Sequence, residues 1–156
     1  MTTATIISAV LVLSSVVATP NSAPETERPQ PADHQVVAIY FHRTQRCPTC
    51  KRIGTLSQEA VTKGFAKEAK SGVVDFQLVD FQNKKNTKLA ETYGIQSPTL
   101  VLLNRFEGET VCWTKMPKVW QLVGKPAAFR AYVQEGVALY LKQTRKDAEK
   151  SAEKKQ

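Results

Sequence analysis

Tyr40-Phe41-His42-Arg43-Thr44-Gln45-Arg46-Cys47-Pro48-Thr49-Cys50-Lys51-Arg52-Ile53 is the stretch from which the rest of the chain is best understood. An apolar run ends at Phe41, five polar or charged residues follow, and Cys47-Pro48-Thr49-Cys50 opens a segment with helical apolar spacing. Pro48 suits the first helical position, where its missing N–H would be unpaired in any case. Cys47 falls where unpaired backbone N–H groups and the positive end of the helix dipole favour an anion. A thiolate is such an anion, and it is the nucleophile of thiol–disulfide exchange. Cys50 follows one turn later, within reach of a short disulfide to Cys47.

The apolar run itself, Val36 to Phe41, is β-branched and aromatic without alternation, as expected of a strand buried on both faces. Downstream, Ile53, Leu56, Ala60, Val61, Phe65 and Ala69 recur at three- and four-residue steps and mark one helix face. Gly54 and Gly64 weaken that helix, and Ser71-Gly72 ends it. Val74, Phe76 and Leu78 alternate with polar residues in a second strand ending near Phe81. A polar turn, a short helix to Tyr93 and the stop signal Gly94 precede a third strand, Leu100 to Leu103. A turn from Asn104 to Glu109 leads to a fourth strand, Glu109 to Lys115, antiparallel to the third because the connection is short. Met116 to Lys125 reads as a short packed helix or an ordered loop. Phe129, Val133, Val137, Tyr140 and Leu141 mark a last amphipathic helix from Pro126, beyond which the apolar spacing fails and the chain should fray. The order β-α-β-α-β-β-α, with helices between parallel strands and a terminal hairpin and helix, predicts an α/β sandwich built on a central four-stranded mixed sheet.

The 156 residues leave room for one ordinary domain and tails, and 42% hydrophobic content is enough for a core. The net charge of +8 is uneven: the stretch 142–156 holds six Lys/Arg against three Asp/Glu. A basic tail of this kind is a solvated helix end rather than a nucleic-acid surface, and no nucleic-acid partner is expected. Residues 1–18 read as a secretory signal, with an apolar run from Ile6 to Ala18 and small residues before a cleavage point after Ala18. That run is short of the ~20 residues of a membrane span. Export to the periplasm or the outside is therefore expected; with the segment uncleaved it would be a membrane anchor. Residues 19–34 contain Pro20, Pro24, Pro29 and Pro31 and form an extended linker. The domain occupies 35–143, and 144–156 is a charged flexible tail.

The strand followed by Cys47-Pro48-Thr49-Cys50, together with Tyr93-Gly94-Ile95-Gln96-Ser97-Pro98-Thr99-Leu100 about fifty residues later, resembles the thioredoxin fold. The resemblance spans Val36 to Leu141. The segment Phe41 to Cys50 is also similar to a small bacterial thioredoxin-like family described as a nitrophenyl-compound nitroreductase subunit. The resemblance implies that Cys47 attacks and Cys50 resolves. It implies that Pro98 is a cis-proline facing the pair, and that Ser97 offers backbone groups to an incoming cysteine peptide. It further implies protein thiols or disulfides as partners, or one dedicated redox enzyme, and no cofactor beyond the Cys47–Cys50 disulfide. The chain departs from thioredoxins in carrying Arg46 instead of Trp before the first cysteine, Pro-Thr between the cysteines, and Phe41 where an internal Asp is usual six residues upstream.

Three readings of the cysteine pair stand: half of a zinc site, a static disulfide, or a redox pair. Zinc needs three or four ligands, and only Cys112, His34 and His42 remain to supply them. The redox reading is the strongest. Arg46, Lys51 and Arg52 place cations at the unfavourable end of the helix dipole, which favours an anion among them and makes all three candidate thiolate-tuning residues. His42 is expected to cap its strand rather than exchange protons. Cys112 alternates on the fourth strand as a buried thiol, and Trp113 and Trp120 are expected in the core.

Overall fold

The structure, a computed structural model, describes residues 33–153. The expected signal at 1–18, most of the linker and the last three residues of the tail lie outside the described residues.

Strand β1, His34–His42, runs through the middle of the sheet, with Val36 to Phe41 all buried. Its side chains alternate between two cores: Val36, Ala38 and Tyr40 enter one, and Val37, Ile39 and Phe41 the other. Two-sided burial is the physical reason the run lacks polar alternation. Helix α1, Pro48–Gly64, packs on the first face through Ile53, Leu56, Ala60 and Val61. The single helix expected to run to Ser71-Gly72 is instead interrupted after Gly64, the second of its weakening glycines, and a one-turn helix α2, Ala66–Lys70, follows; Gly54 leaves α1 unbroken. Gly64 leaves room for the Gln134 side chain, whose amide Nε2 donates to Ala60 O at 3.2 Å.

Strand β2, Val74–Asp80, is parallel to β1, in register from Val36↔Val74 to His42↔Asp80. A 3₁₀ turn at Lys84–Asn86 and helix α3, Thr87–Thr92, lead to Gly94 at φ 56°, a left-handed stop. Strand β3, Thr99–Phe106, is antiparallel to β1, pairing Phe41 with Thr99 and His34 with Phe106. Strand β4, Glu109–Lys115, completes the order β2-β1-β3-β4. The result is a mixed four-stranded sheet flanked by helices, the thioredoxin-like arrangement.

The sequence predicted parallel strands on both sides of the second helix, and here the structure differs. A parallel crossover must carry the chain back along a whole strand, ~23 Å for seven residues. Helix α3 covers only ~9 Å at 1.5 Å per residue, so the chain re-enters the sheet at the end it left.

Helix α4, Val119–Leu122, and helix α5, Pro126–Leu141, follow; α5 has the bounds its apolar spacing predicted. Phe129, Val133, Val137 and Tyr140 bury against α1 and the first face of the sheet. A fully buried side chain such as Phe129 contributes ~1.5–3 kcal/mol over an exposed one.

The expected flexible tail is a docked helix instead. Helix α6, Arg145–Glu153, packs on β4 with Ala148 fully buried. Thr144 and Asp147 cap it reciprocally: Thr144 N donates to Asp147 Oδ2 at 3.0 Å, and Asp147 N to Thr144 Oγ1 at 3.3 Å. Arg145 pairs with Glu107, Glu109 and Glu149. His34, placed in the linker by sequence, is the first residue of β1. Its Nε2 lies 2.8 Å from Asn104 Oδ1, and its ring stacks on Phe106 at 4.2 Å.

Candidate functional site

Cys47 is the N-cap of α1, held extended at φ −66°, ψ 161°, with Pro48 in the first helical turn. Its Sγ accepts the backbone N–H of Cys50 at 3.1 Å. The two cysteines form a disulfide, with Cα atoms 5.1 Å apart. Cys47 is exposed and Cys50 buried. The residue at the helix tip is thus exposed and the one bonded to it, one turn away, is buried. On reduction, a thiolate at Cys47 would keep that N–H donor and the helix dipole, both of which favour the charged form. The first turn of α1 contains no acidic residue.

The three expected thiolate-tuning residues divide between two open clefts. Arg46 and Lys51 line a cleft of ≈ 630 Å³ with Cys47, Thr44 and Gln45. Arg52 lines a second, of ≈ 430 Å³, with Pro48, Thr49, Val123 and Gly124. Arg46 also folds back over α1: a Cβ on Gly54 would stand 2.5 Å from its Nη2 and 3.3 Å from Tyr40 Cδ1. Gly54 therefore makes the berth for this guanidinium. Arg46 Nε, Tyr40 OH and Ser57 Oγ are buried without a hydrogen-bond partner among the described residues. Burial pushes the Tyr40 phenol up to about 12, with the Arg46 charge acting in the opposite direction. Phe41, six residues before Cys47, points into the core on the far face of the sheet. Its neighbour Tyr40, on the face that α1 covers, brings a phenol rather than a carboxylate.

Ser97 and Pro98 stand at the same end of the sheet, because Phe41 pairs with Thr99 and the segment before β3 thus falls beside His42. The expected cis-proline is not found. No peptide bond among the described residues is cis, so Ser97–Pro98 is trans. Trans is the lower-energy form even before proline, and two hydrogen bonds brace the segment. Thr99 Oγ1 donates to Ser97 O at 2.8 Å, and Trp120 Nε1 to Pro98 O at 3.1 Å. Ser97 and Pro98 line a cleft of ≈ 320 Å³ with Trp120 and Lys115, separate from the one at Cys47.

Some site residues escaped the sequence reading. Trp120, expected in the core, is 41% exposed. The loop before Cys47 is tied to the end of β2: Thr44 Oγ1 donates to Asp80 Oδ2 at 2.7 Å, and Thr44 N to Gln82 Oε1 at 3.0 Å. The Thr44 hydroxyl, with further bonds from Gln82 and Asn83 and the charge of His42, holds the Asp80 carboxyl below its usual range. Only the β1–β2 register, which ends at His42↔Asp80, makes that tie visible. His42 Nδ1 stays local, 2.9 Å from Arg43 O. Cys112 is buried on β4 opposite Asn104, toward the other end of the sheet, with Sγ 3.9 Å from Gln143 Oε1. Among the described residues no group of three or more His, Cys, Asp or Glu is placed to hold a metal.

No protein-family profile matches the chain, and neither does any curated protein. Among solved structures, one described as "Structure of a malarial protein" is 21% identical over 49% of this chain and 84% of its own, with a TM-score of 0.33. That likeness is too weak to inform fold or function.

Proposed function

We propose that the protein is a thiol–disulfide oxidoreductase of the thioredoxin-like type, exchanging disulfides with protein partners through Cys47 and Cys50. The observation that carries this reading is the asymmetric pair: an exposed Cys47 capping α1 and a buried Cys50 bonded to it one turn on. In the reduced protein the Cys47 thiolate attacks one sulfur of a partner disulfide. The partner's S–S bond breaks, a Cys47–partner bond forms, and the second partner sulfur leaves as a thiolate. Cys50 then attacks Cys47 Sγ, breaks the mixed disulfide and restores the Cys47–Cys50 bond. Two electrons pass to the partner, which takes up two protons. The reverse sequence oxidises a partner dithiol, and relative reduction potentials decide the direction. The apolar run at 6–18 supports an exported location, where protein disulfides persist.

The test is a Cys50→Ala variant. It should accumulate a covalent complex through Cys47 that reductant releases, while the wild type turns over a small disulfide. If the wild type is inert and the variant traps nothing, the proposal is wrong.

A further inference from the structure

We propose that the partner segment presented to Cys47 is acidic, with Asp or Glu flanking its reacting cysteine. This deepens, and rests on, the thiol–disulfide reading. Three segments meet at the end of the sheet where β1 gives way to α1. The loop and first turns of α1 carry the cysteines. The segment before β3 lies beside His42 through the β1–β3 register. The segment after β4 joins that one through the Trp120–Pro98 bond, and reaches the first turn of α1 at the cleft shared by Val123, Gly124, Thr49 and Arg52.

None of the three contains a carboxylate: residues 43–58, 93–98 and 116–125 lack Asp and Glu altogether. They do carry Arg43, Arg46, Lys51, Arg52, Lys118 and Lys125, all exposed except the half-buried Arg46. The carboxylate facing this end from β2, Asp80, is engaged by the Thr44 hydroxyl and the Gln82 amide. The opposite end of the sheet shows that the chain can neutralise its cations where it must, since Arg145 there meets three glutamates. With six cations against the single Asp80 carboxylate, the net positive field around Cys47 raises the local concentration of acidic segments and speeds their encounter, and salt removes the effect.

The probes are three synthetic peptides, each with one cysteine held as a disulfide with 2-mercaptoethanol, flanked by Asp/Glu, Ser/Gln or Lys/Arg. Each reaction releases peptide thiol and 2-mercaptoethanol and leaves the Cys47–Cys50 disulfide. The second-order rate of the reduced full-length protein is measured with each, at about 10 mM and about 0.5 M salt. The acidic peptide should react about tenfold or more faster than the neutral one at low salt, and the ratio should fall toward one at high salt. The ratio should also fall in a Lys118→Glu/Lys125→Glu variant and persist in Lys146→Glu, on the exposed face of α6. Because a ratio is read, a general loss of reactivity cancels. A wild-type ratio near or below one, with the neutral peptide reacting, overturns this inference alone. A high ratio that ignores both salt and Lys118→Glu/Lys125→Glu also overturns it. If no peptide reacts, the thiol–disulfide reading falls as well.

Discussion

The two ends of the sheet are built on opposite rules. Where β1 ends, exposed Cys47 sits among cations, with Asp80 tied to its loop through Thr44. Three of the four buried polar side-chain atoms without a described partner belong to Tyr40, Arg46 and Ser57, on or beside α1. Where β1 begins, a chain of polar side chains is hydrogen-bonded end to end, although Arg105 Nε nearby is the fourth atom without a described partner. His34 meets Asn104, Asn104 Nδ2 donates to Gln143 Oε1 at 2.8 Å, and Gln143 Nε2 reaches Ser151 Oγ at 3.3 Å. Nine residues of strand, ~30 Å at 3.3 Å each, separate the two. The difference teaches a division of labour. One end presents exposed charge beside Cys47, and the other uses its polar groups to hold α6 on the sheet.

The sharpest way to break that comparison is to strike each end and exchange the readouts. Cys47→Ser should drop disulfide exchange to the uncatalysed background. Under reducing conditions its unfolding free energy should stay within about 0.5 kcal/mol of wild type, as expected for an exposed position. Asn104→Ala should do the reverse. It strands His34 and Gln143 and should cost about 2 kcal/mol, within the range for unsatisfied buried partners. Denaturant melts should show this, while the exchange rate of the folded protein stays within about twofold. A stability loss in the first variant or a rate loss in the second would join the two ends.

Arg46→Leu sharpens the comparison. Removing the cation should raise the pH midpoint of Cys47 alkylation by roughly half a unit to one unit. Stability should hold or rise, because the buried unpartnered Nε disappears. An unchanged midpoint would remove Arg46 from the tuning residues.

The smallest effect is acidification. Hydrogen bonds from the Thr144 hydroxyl and amide, in that order, hold the Asp147 carboxyl below its ordinary 3.8. A lowered folded-state pKa means the cap's contribution is present above that value and fades as pH falls below it. Far-UV circular dichroism should show a small helical loss below pH 3.8, absent in Asp147→Asn.

Much of this was legible from residue order, and what was not has identifiable causes. The β1 run, the start of α1 and the bounds of α5 follow from dense apolar signals and from Pro48 and Pro126 at helix starts. The direction of β3 follows from the shortness of α3, already evident in the sequence, rather than from the residues of β3. Helix α6 was hidden because its buried face consists of small residues, Ala148 and Ala152, with too little apolar area to register. Its Thr144–Asp147 cap was the readable clue. Cysteine spacing located the Cys47–Cys50 disulfide, whereas the placement of Trp120 against Pro98 rests on a contact between segments distant in sequence.

The indole of Trp120, tied to the carbonyl of Pro98 and open to solvent, gives the molecule a built-in optical probe. A partner lying along the segment before β3 would change the polarity around that ring. Docking could then be followed by intrinsic emission, label-free, with a Trp113→Phe background isolating the signal.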